Sequence, residues 1–218
     1  MGTITRTFAN NITTSGVFKP TAFNNASFDN VTAVPEGTVE GGNMVLLSTQ
    51  TASASASIDF TSGIDSTYKE YVFYFVNMHT SNDNGKFQFQ GNAVGGSGFD
   101  ETMISTYFHA QHNQAGTFTR LDYRTANDNV GTGFTDFNEG GNTGSSRSSS
   151  GYLHLFNPSS TTFVKHFIGV TNNAQSDDYC TTSYIAGYFN TTSAIDEIQF
   201  KMSVGNIDEG QISLFGIN

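Results

Sequence analysis

Apolar and polar residues alternate with a period of two along most of this chain. The clearest case lies near its end, where Ile198, Phe200, Met202 and Val204 alternate with Gln199, Lys201 and Ser203. Successive side chains of a β-strand point to opposite faces, so this pattern predicts a strand with one buried and one wet face. A Gly/Asn/Asp turn follows. Residues 211–217 (QISLFGI) then predict a second strand, which ties the end of the sequence into a sheet.

The same reading predicts strands at residues 44–49, 53–60, 70–77, 86–90, 102–110, 118–124, 152–156, 163–171 and 179–189. Residues 70–77 are nearly all apolar or aromatic, which predicts a central strand covered on both faces. Residues 131–151 are mostly Gly, Ser, Thr and Asn, and predict a long exposed loop with a short strand at 134–137. No segment carries a 3.6-residue period. About ten to twelve strands with turn signals between them predict an all-β fold: an antiparallel β-sandwich, jelly-roll-like, with an extended N-terminal arm.

The arm is residues 1–42, and the sandwich domain is residues 43–218. The arm is rich in Asn and Thr. Two adjacent pentads, TAFNN and ASFDN, place Phe18, Phe23 and Phe28 five residues apart. That spacing suits neither an amphipathic helix nor a flat strand. It suits solenoid-like rungs, or an extended arm that sets one ring at a time into a neighbour's pockets. Phe8, Phe18, Phe23 and Phe28 are therefore the expected docking residues. Pro35, Gly37, Gly41 and Gly42 mark the hinge to the domain.

Charged residues make up only 13% of the chain, while 20 Phe and 9 Tyr supply core volume. The net charge of −10 repels phosphate backbones, which excludes nucleic-acid binding as a main role. Cys180 is the single cysteine, so the chain can form neither an internal disulfide nor a cysteine metal cluster. The apolar run at 71–76 is too short to span a bilayer. The opening residues lack a signal-peptide pattern, and Arg6 breaks the myristoylation pattern. The expectation is a soluble protein made in a cytoplasm, without membrane insertion.

Candidate chemistry is sparse. His109 and His112 form H-x-x-H, but on a strand this odd spacing puts the rings on opposite faces, away from a shared metal. His154 and His166 are expected in a core or an interface, and His79 at a solvated strand end. Oxygen-rich turns make Asp83, Asp177 and Asp178 weak calcium candidates, although EF-hand spacing is absent. Asp100, Glu101, Asp122 and Asp136 supply carboxylates for a glycosidase-like pair. No nucleophile elbow, phosphate loop or H-E-x-x-H is present. No cofactor is expected. Tyr107, Tyr123 and Tyr152 are the candidate receptor contacts, provided that their rings face outward to meet a glycan.

Several motifs, taken in order, resemble a known family. Residues 48–79 carry a small-residue strand, an I-x-F, a "GIDSTYK" turn and an aromatic-rich strand. FQFQGN and a Gly-rich turn follow, and the sequence closes on GQISLFGIN. Together with the opening MGTITRTFANN, this resembles structural proteins of tailed-bacteriophage virions of the marine, cyanophage type. The resemblance implies a non-enzymatic virion protein: a surface-displayed fibre or tail-tip component, or else a capsid decoration or head-fibre protein. The expected partners are other virion proteins and further copies of this chain. A homotrimer is expected, because β-rich fibres commonly close their exposed edges by threefold association. A host-surface glycan is a further candidate partner, and a glycan-binding or glycan-cleaving module is the alternative reading.

Overall fold

The computed structural model describes residues 44–175 and 178–218. The docking residues Phe8, Phe18, Phe23 and Phe28, and the calcium candidate Asp177, lie outside them. The described residues form thirteen strands, β1 (Met44–Ser55), β2 (Ser57–Phe60), β3 (Glu70–Thr80), β4 (Phe87–Ala93), β5 (Met103–Asn113), β6 (Thr119–Tyr123), β7 (Val130–Gly131), β8 (Thr135–Asp136), β9 (Ser149–Phe156), β10 (Lys165–Ala174), β11 (Tyr179–Phe189), β12 (Ile195–Met202) and β13 (Ile207–Ile217). A short 3-10 turn at Thr125–Asn127 interrupts the run of strands.

The strands make two antiparallel sheets of unequal width. The nine-stranded sheet runs β1-β13-β3-β9-β10-β11-β5-β6, with β7 added alongside β5. The four-stranded sheet runs β2-β12-β4-β8. The predicted strand at 53–60 is in fact split between the two. Residues up to Ser55 pair with β13 and residues from Ser57 pair with β12. The paired segment turns the same corner between Met202 and Ile207. Ala54 (φ 51°) and Gly205 (φ 73°) sit in the left-handed region beside these bends. A run of alternating Ala and Ser has no bulky face to pin it to one sheet.

Phenylalanine fills the space between the sheets. Phe60 and Phe200 of the small sheet meet Phe73 of the large sheet, each with ring centroids 5.2 Å apart. Phe89 packs edge-on to Phe167 at 5.1 Å. Phe137 joins the core from the segment expected to be an exposed loop, and stacks on Phe87 at 5.2 Å. Thr135, Asp136 and Asn138 are buried with it. Their neighbours Gly140 and Gly141 are also held. Gly141 hydrogen-bonds the backbone of Asn84 and Gly85, and Asn173 Nδ2 donates to Gly140 O at 2.8 Å. The Gly/Ser stretch is therefore largely strapped to the sheet.

β13 lies inside the large sheet, between β1 and β3, with Ile212 and Leu214 fully buried. Its inward residues face the core and its outward residues, Ser213 and Phe215, face away from the small sheet. β3 departs from the expectation of a strand covered on both faces. Tyr71, Phe73 and Phe75 are buried, but Tyr74 and Val76 remain 37% and 51% exposed. Its run is continuously apolar because the outer face is itself apolar; no described segment covers Tyr74 or Val76.

Candidate functional site

The outer face of the nine-stranded sheet carries the largest organised set of exposed rings. Strand register aligns them. Tyr74 opposes Tyr152, Tyr152 opposes Val170, Val170 opposes Tyr184, Tyr184 opposes Phe108, and Phe108 opposes Tyr123. One row therefore crosses six neighbouring strands at right angles to them. At about 4.8 Å per strand, it extends roughly 24 Å. Phe108 and Tyr184 stack at 4.9 Å and 9°. Tyr74 meets Tyr152 at 6.2 Å and Phe215 at 5.8 Å, both edge-on. Each of these outward positions follows from the pleat, because the flanking residues Phe73, Leu153, Ile185 and Tyr107 all point into the core.

The three tyrosines expected to meet a receptor divide. Tyr123 is 51% exposed, with its hydroxyl donating to Asp128 at 2.7 Å. Tyr152 is half-buried in the same row. Tyr107 is a correction: it is fully buried, and its hydroxyl lies 2.5 Å from Ser183 Oγ. Burial drives the Tyr107 phenol well above its usual range. The parity of β5 decides this, since Tyr107 and Phe108 must face opposite ways. Tyr74, Phe108 and Tyr184 complete the row and were missed from the sequence. The run of apolar residues on both faces of β3 was the available signal.

Beneath β5 and β6 lies a second cluster, of charge. His109 Nδ1 is 3.0 Å from Glu139 Oε2, though not aligned as a hydrogen bond, and neither ring nitrogen has a hydrogen-bond partner. Glu139 also takes Arg124 Nε, and Asp122 takes Arg120. Burial holds the His109 imidazole below its ordinary pKa despite the Glu139 charge, so the ring is neutral. Solvent does not reach it. The buried ring therefore offers no reacting atom to a ligand, and the Glu139 contacts fasten residues 124–139 beneath the sheet. His112, on the same strand, is exposed on the other face.

The remaining residues scatter. Asp83 accepts both N–H and O–H of Thr143 at 2.9 Å, and these bonds hold its carboxyl below the usual range. Asp178 takes Arg147. Each of these two calcium candidates thus binds the protein itself. Among the described residues, no group of three or more His, Cys, Asp or Glu side chains is placed to hold a metal ion. Of the proposed carboxylates, Asp136 is buried and bonded to Lys86, Gln88 and Asn127, and Asp122 is paired with arginine. Glu101 accepts from the backbone of Ala93. Asp100 is exposed. His154 is half-buried against Glu70, and His79 contacts Asp208 at 3.3 Å. His166 is exposed and lies outside the core. Its neighbour Lys165 turns inward instead, fully buried, with Nζ donating to Phe163 O and Thr191 O at 3.1 Å.

Comparison with family models, curated proteins and solved structures finds no match to this chain.

Proposed function

We propose that this chain is a non-enzymatic structural protein of a tailed-bacteriophage virion, displayed on the particle as a fibre-like or tail-tip component. The observation that carries this reading is the row from Tyr74 to Tyr123 on a broad sheet face that no described segment covers. A flat, ring-rich sheet face is suited to contact rather than turnover, because aromatic rings bury large areas at little cost in side-chain entropy. The ordered sequence motifs supply the virion assignment. Residues 1–42 are the arm that joins the particle, and β1, with no charged residue in its twelve, is the edge closed by threefold association.

Proteomics of gradient-purified virions, with immunogold labelling, tests the proposal. The chain is expected in the particles in multiple copies, with label on a fibre or tail tip. Its presence in infected lysate but absence from washed particles contradicts the proposal.

A further inference from the structure

Three neighbouring strands of the large sheet carry unusual backbone conformations at one level. Ala54 in β1 (φ 51°), Gly210 in β13 (φ 135°) and Asn77 in β3 (φ 54°) all take left-handed or related conformations. The β13–β3 ladder slips on both sides of Glu209, and the β3–β9 ladder slips between Phe75 and Met78. Bulges of this kind re-aim side chains and open the surface of a sheet. Here they border an open groove of about 800 Å³ lined by Thr51, Ser53, Val76, Asn77, Asp208 and Gln211. A second hollow of about 430 Å³ shares Asn77, Asp208 and Glu209 and adds His79, Arg147 and Ser148. The two form one depression running from the β1 edge to the strapped 143–148 segment.

Val76 connects the depression to the ring row. It projects on the same outward face as Tyr74, two residues along β3. A ligand lying in the groove therefore continues onto the rings of Tyr74, Phe215 and Tyr152.

Charge complementarity narrows the occupant. Asp208 and Glu209 only accept hydrogen bonds, Arg147 only donates, and Asn77 and Gln211 do both. A polyanion is opposed by the two carboxylates and by a chain charge of −10. A cationic peptide finds Asp208 already held by His79, and Arg147, itself paired with Asp178, offers its cationic groups no acceptor. A hydroxyl both donates and accepts, so a neutral polyol matches every wall group. The adjoining rings offer flat apolar faces to the C–H faces of sugar rings. We infer that the groove and the adjoining ring row bind a neutral, linear polysaccharide. This deepens the attachment side of the proposed function and rests on that reading for its biological setting alone.

Affinity electrophoresis of the full chain through gels cast with dextran, mannan, starch or hydroxyethyl cellulose tests it, with anionic alginate as comparison. At least one neutral polysaccharide is expected to retard the chain. Tyr74→Ala and Glu209→Ala should each weaken that retention about tenfold, while Val204→Ser leaves it unchanged. Glu209→Gln, which removes charge but keeps size, should lie between. Melting curves of every variant separate lost binding from lost folding. Retention by none of the neutral polymers, retention by alginate alone, or retention indifferent to both Tyr74 and Glu209 overturns the inference. The two proposals fail separately. A chain found in particles but retarded by no neutral polysaccharide leaves the structural role standing. A chain retarded but absent from particles leaves the groove standing.

Discussion

Phe108 and Tyr184 stack ring on ring, 4.9 Å apart at 9°, across β5 and β11 on the outside of the large sheet. One residue back on each strand, Tyr107 and Ser183 hydrogen-bond at 2.5 Å on the inside. The two faces of one strand pair thus do different work. The inner contact holds the fold, and the outer one builds a surface. Because both rings are near 40% exposed, their pairing is expected to contribute only about 0.5–1.5 kcal/mol. A double-mutant cycle of Phe108→Ala and Tyr184→Ala, read by denaturant unfolding, measures that coupling. A coupling energy of zero means the rings do not touch in solution.

Phe137 sets a larger expectation. It is fully buried and packs against Phe75, Phe87 and Phe89 at 4.9–5.2 Å. Phe137→Ala should therefore cost about 3–5 kcal/mol, as for other core phenylalanines. An ordinary loop residue would cost less than about 0.5 kcal/mol. Chemical denaturation distinguishes the two outcomes, and the smaller value would return residues 131–151 to the role of a free loop.

His109 makes stability depend on pH. Burial lowers its folded pKa below the ordinary 6.5, while Glu139 and Asp122 pull it up and Arg124 and Arg120 push it down. The native state then binds fewer protons than the unfolded state just below pH 6.5. The contribution of the neutral ring is complete above that pH and is lost as pH falls through the window beneath it. Unfolding free energies of the wild type and His109→Gln, measured from pH 7.5 to 5, should converge as pH drops. A difference that stays flat across this range shows that the ring carries no such linkage.

Removing residues 214–218 strips the end of β13 from between β1 and β3, taking the buried Leu214 with it. Partners on both sides lose ladder hydrogen bonds, and the core gains a cavity. The loss should be several kcal/mol, more than the roughly 2–5 kcal/mol for a buried Leu alone. An unchanged melting temperature would show that β13 is not integral to the sheet.

Much of this architecture is legible in the residues, and the failures share a cause. Residues 198–202 of β12 and 211–214 of β13 alternate cleanly because their outer face is polar. β10 does not. Phe163 and Val164 just before it, and Phe167 and Ile168 within it, put apolar groups at both parities, so alternation does not decide whether Lys165 or His166 turns inward. The same ambiguity hid Tyr74 and Phe108, whose face is apolar without being covered. Residues 53–60 carried only Ala and Ser up to Ile58, too little to reveal the change of sheet near Ala56. The short strand expected at 134–137 is present as β8, but two rings, Phe134 and Phe137, among Gly, Ser and Thr did not show that Phe137 enters the core. The groove rests on bulges and register slips, which arise from long-range pairing and leave no local pattern.

Cryo-electron microscopy of intact virions tests the central claim most directly. The account predicts density for a nine-over-four-stranded sandwich on the particle exterior, repeated around a threefold axis, with the row from Tyr74 to Tyr123 turned toward solvent. Particles whose exterior holds no such density, while the chain remains in the host lysate, would contradict it.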